Sequence, residues 1–294
     1  MQIKHYKHSE IDFKKWNAAI DSAINGLVYA KSWYLDIVSP NWEVLIFGDY
    51  EFIMPLPVKN KFGIKYLVQP TLTQQLGVFS RKPINKKAVD LFIKNIPYFS
   101  YELNLNEQNR TSCVKQNSLN LLLDLSTEFS ELEQSFSKNT IRNINNAKKN
   151  GLTITENFSS NEFLDFYFGT EVNFSKPNRL ITEKLINKAV ENQAISIFAA
   201  KNQNNQVVAA FCLLKSGKRL INLLPVSNDE GKRTSAMFLL IENAIELHSG
   251  SNKTLDFEGS MIEGVARFYK GFGAKEKFYP LIKRFRPNFL IEKL

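Results

Sequence analysis

The chain has 294 residues and a formal net charge of +9, with 38 lysine or arginine residues against 29 aspartate or glutamate residues. Its two cysteines and three histidines exclude a disulfide framework and leave little material for a zinc site or a Ser-His-Asp triad. No window approaches the ~18 apolar residues of a membrane-spanning helix, and the first residues lack the apolar region of a signal peptide. We therefore expect a cytoplasmic protein that has no metal centre and transfers protons through carboxylates, lysine, tyrosine or the substrate.

The basic residues cluster at 59–65, 81–87 and 138–149. Such an excess is typical of a solvated surface. The alternative is an anionic partner, such as a nucleotide, tRNA or an anionic lipid surface, with DNA not expected.

The first half of the chain predicts helices, a three-strand meander, a further helix and a last strand. Apolar periodicity and turn residues delimit these elements. The predicted helices are 12–23, 30–38 and 85–95, and the predicted strands are 42–47, 52–58, 64–69 and 99–103. Pro70 closes the third strand of the meander.

The second half begins after a joint near residues 121–125 and repeats this order. Ser130 and Glu133 have the spacing of a capping box, and a basic helix at 139–149 ends at Gly151. The other predicted helices are 162–172, 182–192 and 233–248, and the predicted strands are 194–200, 207–214, 220–224 and 254–257. Pro225 closes the third strand of this meander.

The repeated order predicts an α/β (α+β) protein of two tandem domains, 1–125 and 126–294. Each domain should hold a mixed, mostly antiparallel sheet flanked by helices. Residue identity between the halves is weak, so the repeat is architectural.

A phosphate site is suggested at the start of the predicted helix 233–248. Its N-terminus collects Gly231, Lys232, Arg233, Thr234 and Ser235. Unpaired backbone N–H groups together with two cations form a place for a phosphate. The alternative is a capped helix with exposed cations.

Two carboxylates, Asp256 and Glu258, lie at the predicted strand 254–257, before Gly259 and Ser260. Residues two apart on a strand face the same side, and two buried carboxylates are costly, so that face should open on a cleft. Either carboxylate with a raised pKa could accept a proton from an attacking amine. The alternative is that Asp256 pairs with a neighbouring cation or caps backbone.

Two further groups are candidates. Lys270, at the end of a predicted helix, could stabilise an oxyanion, or be a surface lysine favoured at a helix C-terminus. The polar loop 68–77 could bind a peptide, sugar or nucleotide, or be a plain loop. Its candidate acceptor contacts are Gln69, Thr71, Gln74 and Gln75.

Residues 254–274 resemble the D-F-x-G-S … F-K-x-x-F-G-A element of the FemAB-like (peptidyltransferase) branch of the GNAT acyltransferases. The basic helix resembles that family's R-x-x-I-x-x-A-x-K-x-G segment, and the likeness is best from 129 to 284. Tyr269 stands where the family usually has Phe. The pyrophosphate motif R/Q-x-x-G-x-G/A of acetyl-CoA enzymes is broken, because Asn228 and Arg233 occupy two of its positions.

The resemblance implies two GNAT-like domains, with the donor cleft in residues 126–294. It places strands 220–224 and 254–257 side by side, parallel and splayed at their C-terminal ends, and it places Lys270 near an aminoacyl carbonyl. Pro225 and Gly259 suit such a divergence. Ser260 and Tyr269 become candidate acceptor contacts.

The implied reaction is transfer of an acyl or aminoacyl group to an amine. The donor would be aminoacyl-tRNA, a co-substrate rather than a tightly bound cofactor, and the acceptor a peptidoglycan-precursor-like peptide or sugar-peptide. The alternatives are an acyl-CoA-dependent N-acyltransferase and a non-catalytic binding module on this fold. Peripheral contact with an anionic membrane is a further expectation.

Overall fold

The structure is a computed structural model that describes residues 2–156, 158–258 and 261–285. It confirms an α/β protein with mostly antiparallel sheets flanked by helices. The helices are α1 (Phe13–Ser22), α2 (Ser32–Val38), α3 (Lys86–Lys94), α4 (Phe129–Gln134), α5 (Lys138–Lys149), α6 (Ser160–Gly169), α7 (Arg179–Glu191), α8 (Asp229–Arg233), α9 (Ala236–His248) and α10 (Glu263–Lys270). Within the described residues, no helix is both long and apolar enough to cross a membrane.

The strands follow the predicted order. The sequence did not reveal β1, β6, β8 and β9, and β14 contains the closing strand 278–284 of the FemAB-like resemblance. They are β1 (Lys4–Tyr6), β2 (Glu43–Phe47), β3 (Phe52–Leu56), β4 (Val58–Lys61), β5 (Ile64–Val68), β6 (Phe79–Ser80), β7 (Tyr101–Asn104), β8 (Val114–Asp124), β9 (Thr153–Thr155), β10 (Ile195–Lys201), β11 (Val207–Ser216), β12 (Arg219–Ser227), β13 (Thr254–Asp256) and β14 (Lys275–Arg284).

The chain divides into two compact units, one of residues 1–119 with those from Phe278 onward, and one of Asn120–Lys277. The sequence boundary at residue 125 thus falls just inside the second unit. The end of β14 groups with the first unit because its residues 281–284 pair with β7.

The first unit shows that the predicted strand 52–58 is wrong as a single strand. Its first part, β3, pairs with β2, whereas β4 forms a hairpin with β5. Pro55 and Pro57 explain the break, because proline donates no ladder hydrogen bond.

The second unit holds the sheet that positions the candidate site, in the order β8-β13-β12-β11-β10-β9. The strands β10 and β11 are apolar almost throughout because helices cover both faces, with α9 and α6 packing against them. Phe198 stacks on Phe211 within this core at a centroid distance of 5.3 Å.

Three predicted boundaries in the second unit are wrong. The helix α4 begins at Phe129 after Glu128, so Ser130 is not its cap. The helix α9 begins at Ala236 because Ser235 adopts a φ of 62°. The strand β12 continues through Pro225 to Ser227. A β-bulge interrupts it, because Leu224 and Pro225 together lie opposite the single residue Phe211, and Leu224 has a φ of 55°.

A buried carboxylate ties the first unit together. Glu43 on β2 is 4% exposed, and it accepts hydrogen bonds from the Tyr98 hydroxyl, from His5 Nε2 at 2.6 Å and from Lys65 Nζ at 3.0 Å. Burial acts to raise the pKa of Glu43, but the hydrogen bonds from Tyr98, Lys65 and His5 together hold it below its ordinary value. The ionised carboxylate therefore stabilises the fold at neutral pH.

We predict that Glu43→Gln lowers the free energy of unfolding by about 2 kcal/mol at neutral pH, because a charged acceptor of several hydrogen bonds is lost. The folded-state pKa lies below the unfolded value of 4.5, so this contribution disappears as the pH falls below that value. Urea unfolding at neutral and acid pH measures both effects. Asp49→Asn, which removes a surface partner of Lys15, is the control, and an equal loss in the two variants would contradict the prediction.

Candidate functional site

The candidate site begins where two parallel strands part. The strands β12 and β13 are neighbours in the register Arg219↔Thr254, Leu220↔Leu255 and Ile221↔Asp256. The pairing ends there, but β12 continues to Ser227. The predicted neighbourhood of these strands is confirmed. Among the residues that the structure describes, no strand pairs with this edge of β12 beyond Ile221.

A cavity of about 280 Å³ lies along this unpaired part of β12. The end of β12, the start of α9 and one face of α10 form its walls. Its lining residues are Pro225, Val226, Ser227, Met237, Gly264, Val265, Phe268 and Tyr269. The walls are largely apolar, which suits an extended acyl or aminoacyl group.

Tyr269 is held in this wall by two contacts. Its ring stacks on Phe257 at 4.4 Å, and its hydroxyl accepts a hydrogen bond of 2.7 Å from Asn222 Nδ2. Burial raises the pKa of Tyr269, and the nearby charge of Glu258 acts in the same direction. The phenol therefore stays protonated at neutral pH and can donate a hydrogen bond.

The two carboxylates do not share an open face, so that expectation is wrong. Asp256 is 1% exposed and is bound by Arg219 Nη1 at 2.8 Å, Asn120 Nδ2 at 2.9 Å and the Glu258 N–H at 3.1 Å. Burial raises the pKa of Asp256, opposed by the charge of Arg219. The strand β13 ends at Asp256, and Glu258 follows with a φ of 48° and a half-buried side chain. Asp256 thus has the structural contacts of the alternative interpretation. Glu258 is not among the residues that line the cavity, but its charge acts on Tyr269, which is.

Lys270 is exposed at the end of α10 and does not line the cavity. Its ammonium group forms an ion pair of 2.5 Å with Glu276 on β14. The preceding residue, Tyr269, presents its side chain to the cavity instead.

The predicted phosphate cradle is largely occupied by the protein itself. The N–H of Gly231 donates to Asn228 Oδ1, and those of Lys232, Thr234 and Ser235 donate to backbone carbonyls. The expectation of unpaired N–H groups is therefore wrong for these residues. Lys232 and Arg233 are exposed, and Lys232 also pairs with Asp229.

Unpaired donors lie slightly further along the chain, where sequence reasoning missed them. Within the described residues, the N–H groups of Ala236 and Met237 have no acceptor, and Met237 lines the cavity. They are the first two residues of α9, whose start the left-handed Ser235 displaces. A helix N-terminus with free N–H groups favours an anion at this end of the cavity.

The basic helix α5 lies beside this helix start. Asn146 on α5 donates to the Arg233 carbonyl and to Ser235 Oγ, and Ser235 Oγ donates to Asn143. Three cations of α5, Lys138, Arg142 and Lys149, line a groove of about 500 Å³ and have no ion-pair partner among the described residues. Lys148 alone among the basic residues of α5 pairs with an acid, Glu242.

The proposed acceptor loop belongs to the first unit, and most of its amides bind the protein. Gln69 binds the Thr73 carbonyl and the Asn104 N–H, and Gln75 binds Gln74 and the Glu107 N–H. Thr71 is exposed. Ser260, like Gly259, lies outside the described residues.

A larger cavity of about 620 Å³ lies between α6 and α8 and is acidic. Three of its four carboxylates have partners: Asp229 pairs with Lys232, Glu230 binds Asn202, and Asp165 faces Arg179. In the described part of the chain, no group of three histidine, cysteine or acidic side chains is placed to hold a metal ion.

The glycines of the Gly271-Phe-Gly-Ala274 segment have a packing role. A Cβ atom on Gly271 would lie 2.4 Å from Thr140 Oγ1, and one on Gly273 would lie 2.2 Å from Ser135 Oγ. The Gly271 carbonyl also accepts from the Ser137 N–H at 2.8 Å, so this segment fixes the start of α5 against the end of α10. The glycines therefore place α5 beside the site.

We predict that Gly271→Ala lowers the free energy of unfolding by about 2 kcal/mol, because the new methyl group overlaps Thr140. At Gly264, which lies inside α10, a Cβ atom would meet nothing within 4 Å. Gly264→Ala should therefore stabilise the protein by about 1 kcal/mol, since alanine favours a helix over glycine. Thermal unfolding of both variants measures the difference. Shifts of the same sign would contradict the packing role.

No family model matches the sequence, and no curated protein does. Solved structures match the fold over the whole chain. FemX has a TM-score of 0.68 at 12% identity, covering 95% of this chain and 97% of its own. A conserved protein of unknown function from Bacteroides thetaiotaomicron has 0.56 at 9%, covering 94% and 97%. L-PGS from Bacillus licheniformis has 0.52 at 11%, covering 94% and 92%.

The chain therefore has the fold of FemX, and the resemblance to the FemAB-like branch of the GNAT acyltransferases is confirmed as a likeness of fold. The helix and strand order that the sequence repeats is found in both compact units.

Proposed function

We propose that the protein is an aminoacyl transferase that forms an amide on an amine acceptor, with aminoacyl-tRNA as donor and a peptidoglycan-precursor-like peptide as acceptor. The observation that carries the proposal is the gap beyond Ile221↔Asp256, where the unpaired edge of β12, the start of α9 and Tyr269 meet around one cavity. This cavity supports a donor cleft in the C-terminal domain, residues 126–294.

The donor would lie along the unpaired edge of β12, whose backbone groups can bind an extended aminoacyl group as a strand would. A backbone N–H there would stabilise the oxyanion that forms at the ester carbonyl. The phosphates of the tRNA, which is the leaving group, would lie near the free N–H groups of Ala236 and Met237 and near the exposed Lys232 and Arg233.

The chemistry requires one proton acceptor and one proton donor. The acceptor amine attacks the ester carbonyl, a C–N bond forms, and the C–O bond to the ribose breaks. We assign Glu258 to take the proton from the amine and Tyr269 to supply one to the departing ribose oxygen. Asp256 holds β13, which leads into Glu258, against β12 and β8, whereas α10 carries Tyr269.

The α5 groove favours a nucleic-acid donor over coenzyme A. Its three cations without ion-pair partners provide more positive charge than one pyrophosphate needs, and the pyrophosphate motif is broken at Asn228 and Arg233.

Purified protein is incubated with charged tRNAs and with acetyl-CoA, each with UDP-linked and lipid-linked muropeptides. Turnover of acetyl-CoA alone supports the N-acyltransferase alternative, and binding without consumption of any donor supports the binding module.

We predict that Tyr269→Phe lowers kcat about 100-fold with little change in KM, because the proton donor is lost while the cavity wall stays. Lys270→Ala should leave kcat within about twofold, since its ammonium group lies outside the cavity. Steady-state kinetics on the active donor compares them. The reverse ranking would restore Lys270 as the oxyanion group that the resemblance implied.

We predict that the double variant Arg142→Gln and Lys149→Gln raises the KM for aminoacyl-tRNA about tenfold without changing kcat. The slope of log KM against log salt concentration should fall by about one per residue. Lys184→Gln, an exposed lysine on α7, is the control. An unchanged salt slope would place the RNA elsewhere on the protein.

A further inference from the structure

Several apolar side chains are exposed at one end of a sheet in the first unit. The hairpin of β4 and β5 turns at Phe62 and Gly63, and Phe62 is 84% exposed, with Ile64 at 46%. The strand β7 runs parallel to β5, and β14 runs antiparallel to β7 with Arg284 opposite Tyr101. The hairpin turn, the start of β7 and the end of β14 therefore lie at the same end of the sheet.

Two phenylalanines extend the apolar group at this end. Phe99 precedes β7 and Phe285 follows β14, and their rings are 5.2 Å apart. They are 63% and 59% exposed. Exposed apolar residues are ordinarily scattered singly, so four of them at one sheet end mark an interaction surface.

Cations accompany these side chains. The Arg284 guanidinium lies 5.1 Å from the Phe99 ring centroid, and the Lys61 ammonium lies 5.9 Å from that of Phe62. Segments 58–65, 98–101 and 281–285 contain no aspartate or glutamate. We name Phe62, Ile64, Phe99 and Phe285, with Lys59, Lys61 and Arg284, the hairpin-end patch.

The chemistry of the patch fits a lipid surface. Aromatic side chains settle at the headgroup level of a bilayer, and lysine and arginine are attracted to anionic lipids. The aliphatic Ile64 and the tilted Phe99–Phe285 pair, at an interplanar angle of 53°, offer no flat stack for nucleic-acid bases. A protruding hairpin turn can enter a headgroup layer without any complementary pocket in a partner.

We propose that the hairpin-end patch docks the protein on a membrane surface rich in anionic lipid, with the side chains of Phe62 and Ile64 inserted among the headgroups. The docking does not depend on the transferase proposal, because the patch is formed entirely by the first unit.

The test is flotation of the full-length chain with vesicles of phosphatidylcholine alone and with phosphatidylglycerol added. The chain should float only with the mixed vesicles, and Phe62→Ser should weaken binding about tenfold. The double variant Lys59→Gln and Lys61→Gln should weaken it about fivefold for each charge removed. Controls are Phe174→Ser, whose phenylalanine is 50% exposed in the second unit, and Lys184→Gln combined with Lys218→Gln.

A second readout reports insertion directly. Phe62→Trp should become sensitive to quenching by brominated lipid in mixed vesicles, whereas Phe174→Trp should not. Equal binding to both vesicle types, no binding, or an equal loss in Phe174→Ser would overturn the proposal. A dimer that sediments without vesicles and that Phe62→Ser dissociates would also overturn it. So would a change in the fluorescence of Phe62→Trp that occurs on addition of RNA but not of vesicles.

Discussion

The buried carboxylate of Asp256 is the constraint on which the second unit depends. It binds Arg219 on β12 and Asn120 on β8, so that one side chain joins β13 to the strands on both of its sides. The strand pairing of β12 with β13 ends at Asp256, and the two strands separate from the next residue onward. The ion pair between Asp256 and Arg219 therefore stabilises the last paired position of β12 and β13, beyond which the cavity lies. Removing one partner of such a buried pair costs more than the pair contributes net, which makes Asp256 a structural residue first.

The remaining parts of the site are placed by backbone geometry more than by charged side chains. The bulge at Leu224 and Pro225 turns the end of β12, and the left-handed Ser235 sets the start of α9. The glycines after α10 leave room for the start of α5 to pack closely against them. This packing places beside α9 the cations of α5 that have no ion-pair partner among the described residues. A site built in this way presents backbone N–H groups and a phenol to a donor, consistent with the scarcity of histidine in the chain.

Sequence reasoning succeeded where periodicity and strand order decide the structure. The apolar runs of β10 and β11 were predicted because burial leaves few alternatives for them. The parallel neighbourhood of β12 and β13 was predicted from the resemblance to the FemAB-like branch. Sequence reasoning failed where a single tertiary contact or a single dihedral angle determines the structure. Lys270 and Tyr269 are adjacent in sequence, and only the packing of α10 selects which one meets the cavity. The pairing of Asp256 with Asn120, distant in the chain, and the φ of Ser235 leave no local signal.

The central claim is that a donor fills the gap between β12 and β13 and is capped by the start of α9. Amide hydrogen exchange, with and without a non-hydrolysable aminoacylated RNA minihelix, tests it most directly. The minihelix should slow exchange in residues 222–227 and at Ala236 and Met237, while Leu220 and Leu255 stay protected throughout. Protection of residues 222–227 already complete in the free protein, or slowing confined to other regions on addition of the minihelix, would contradict it.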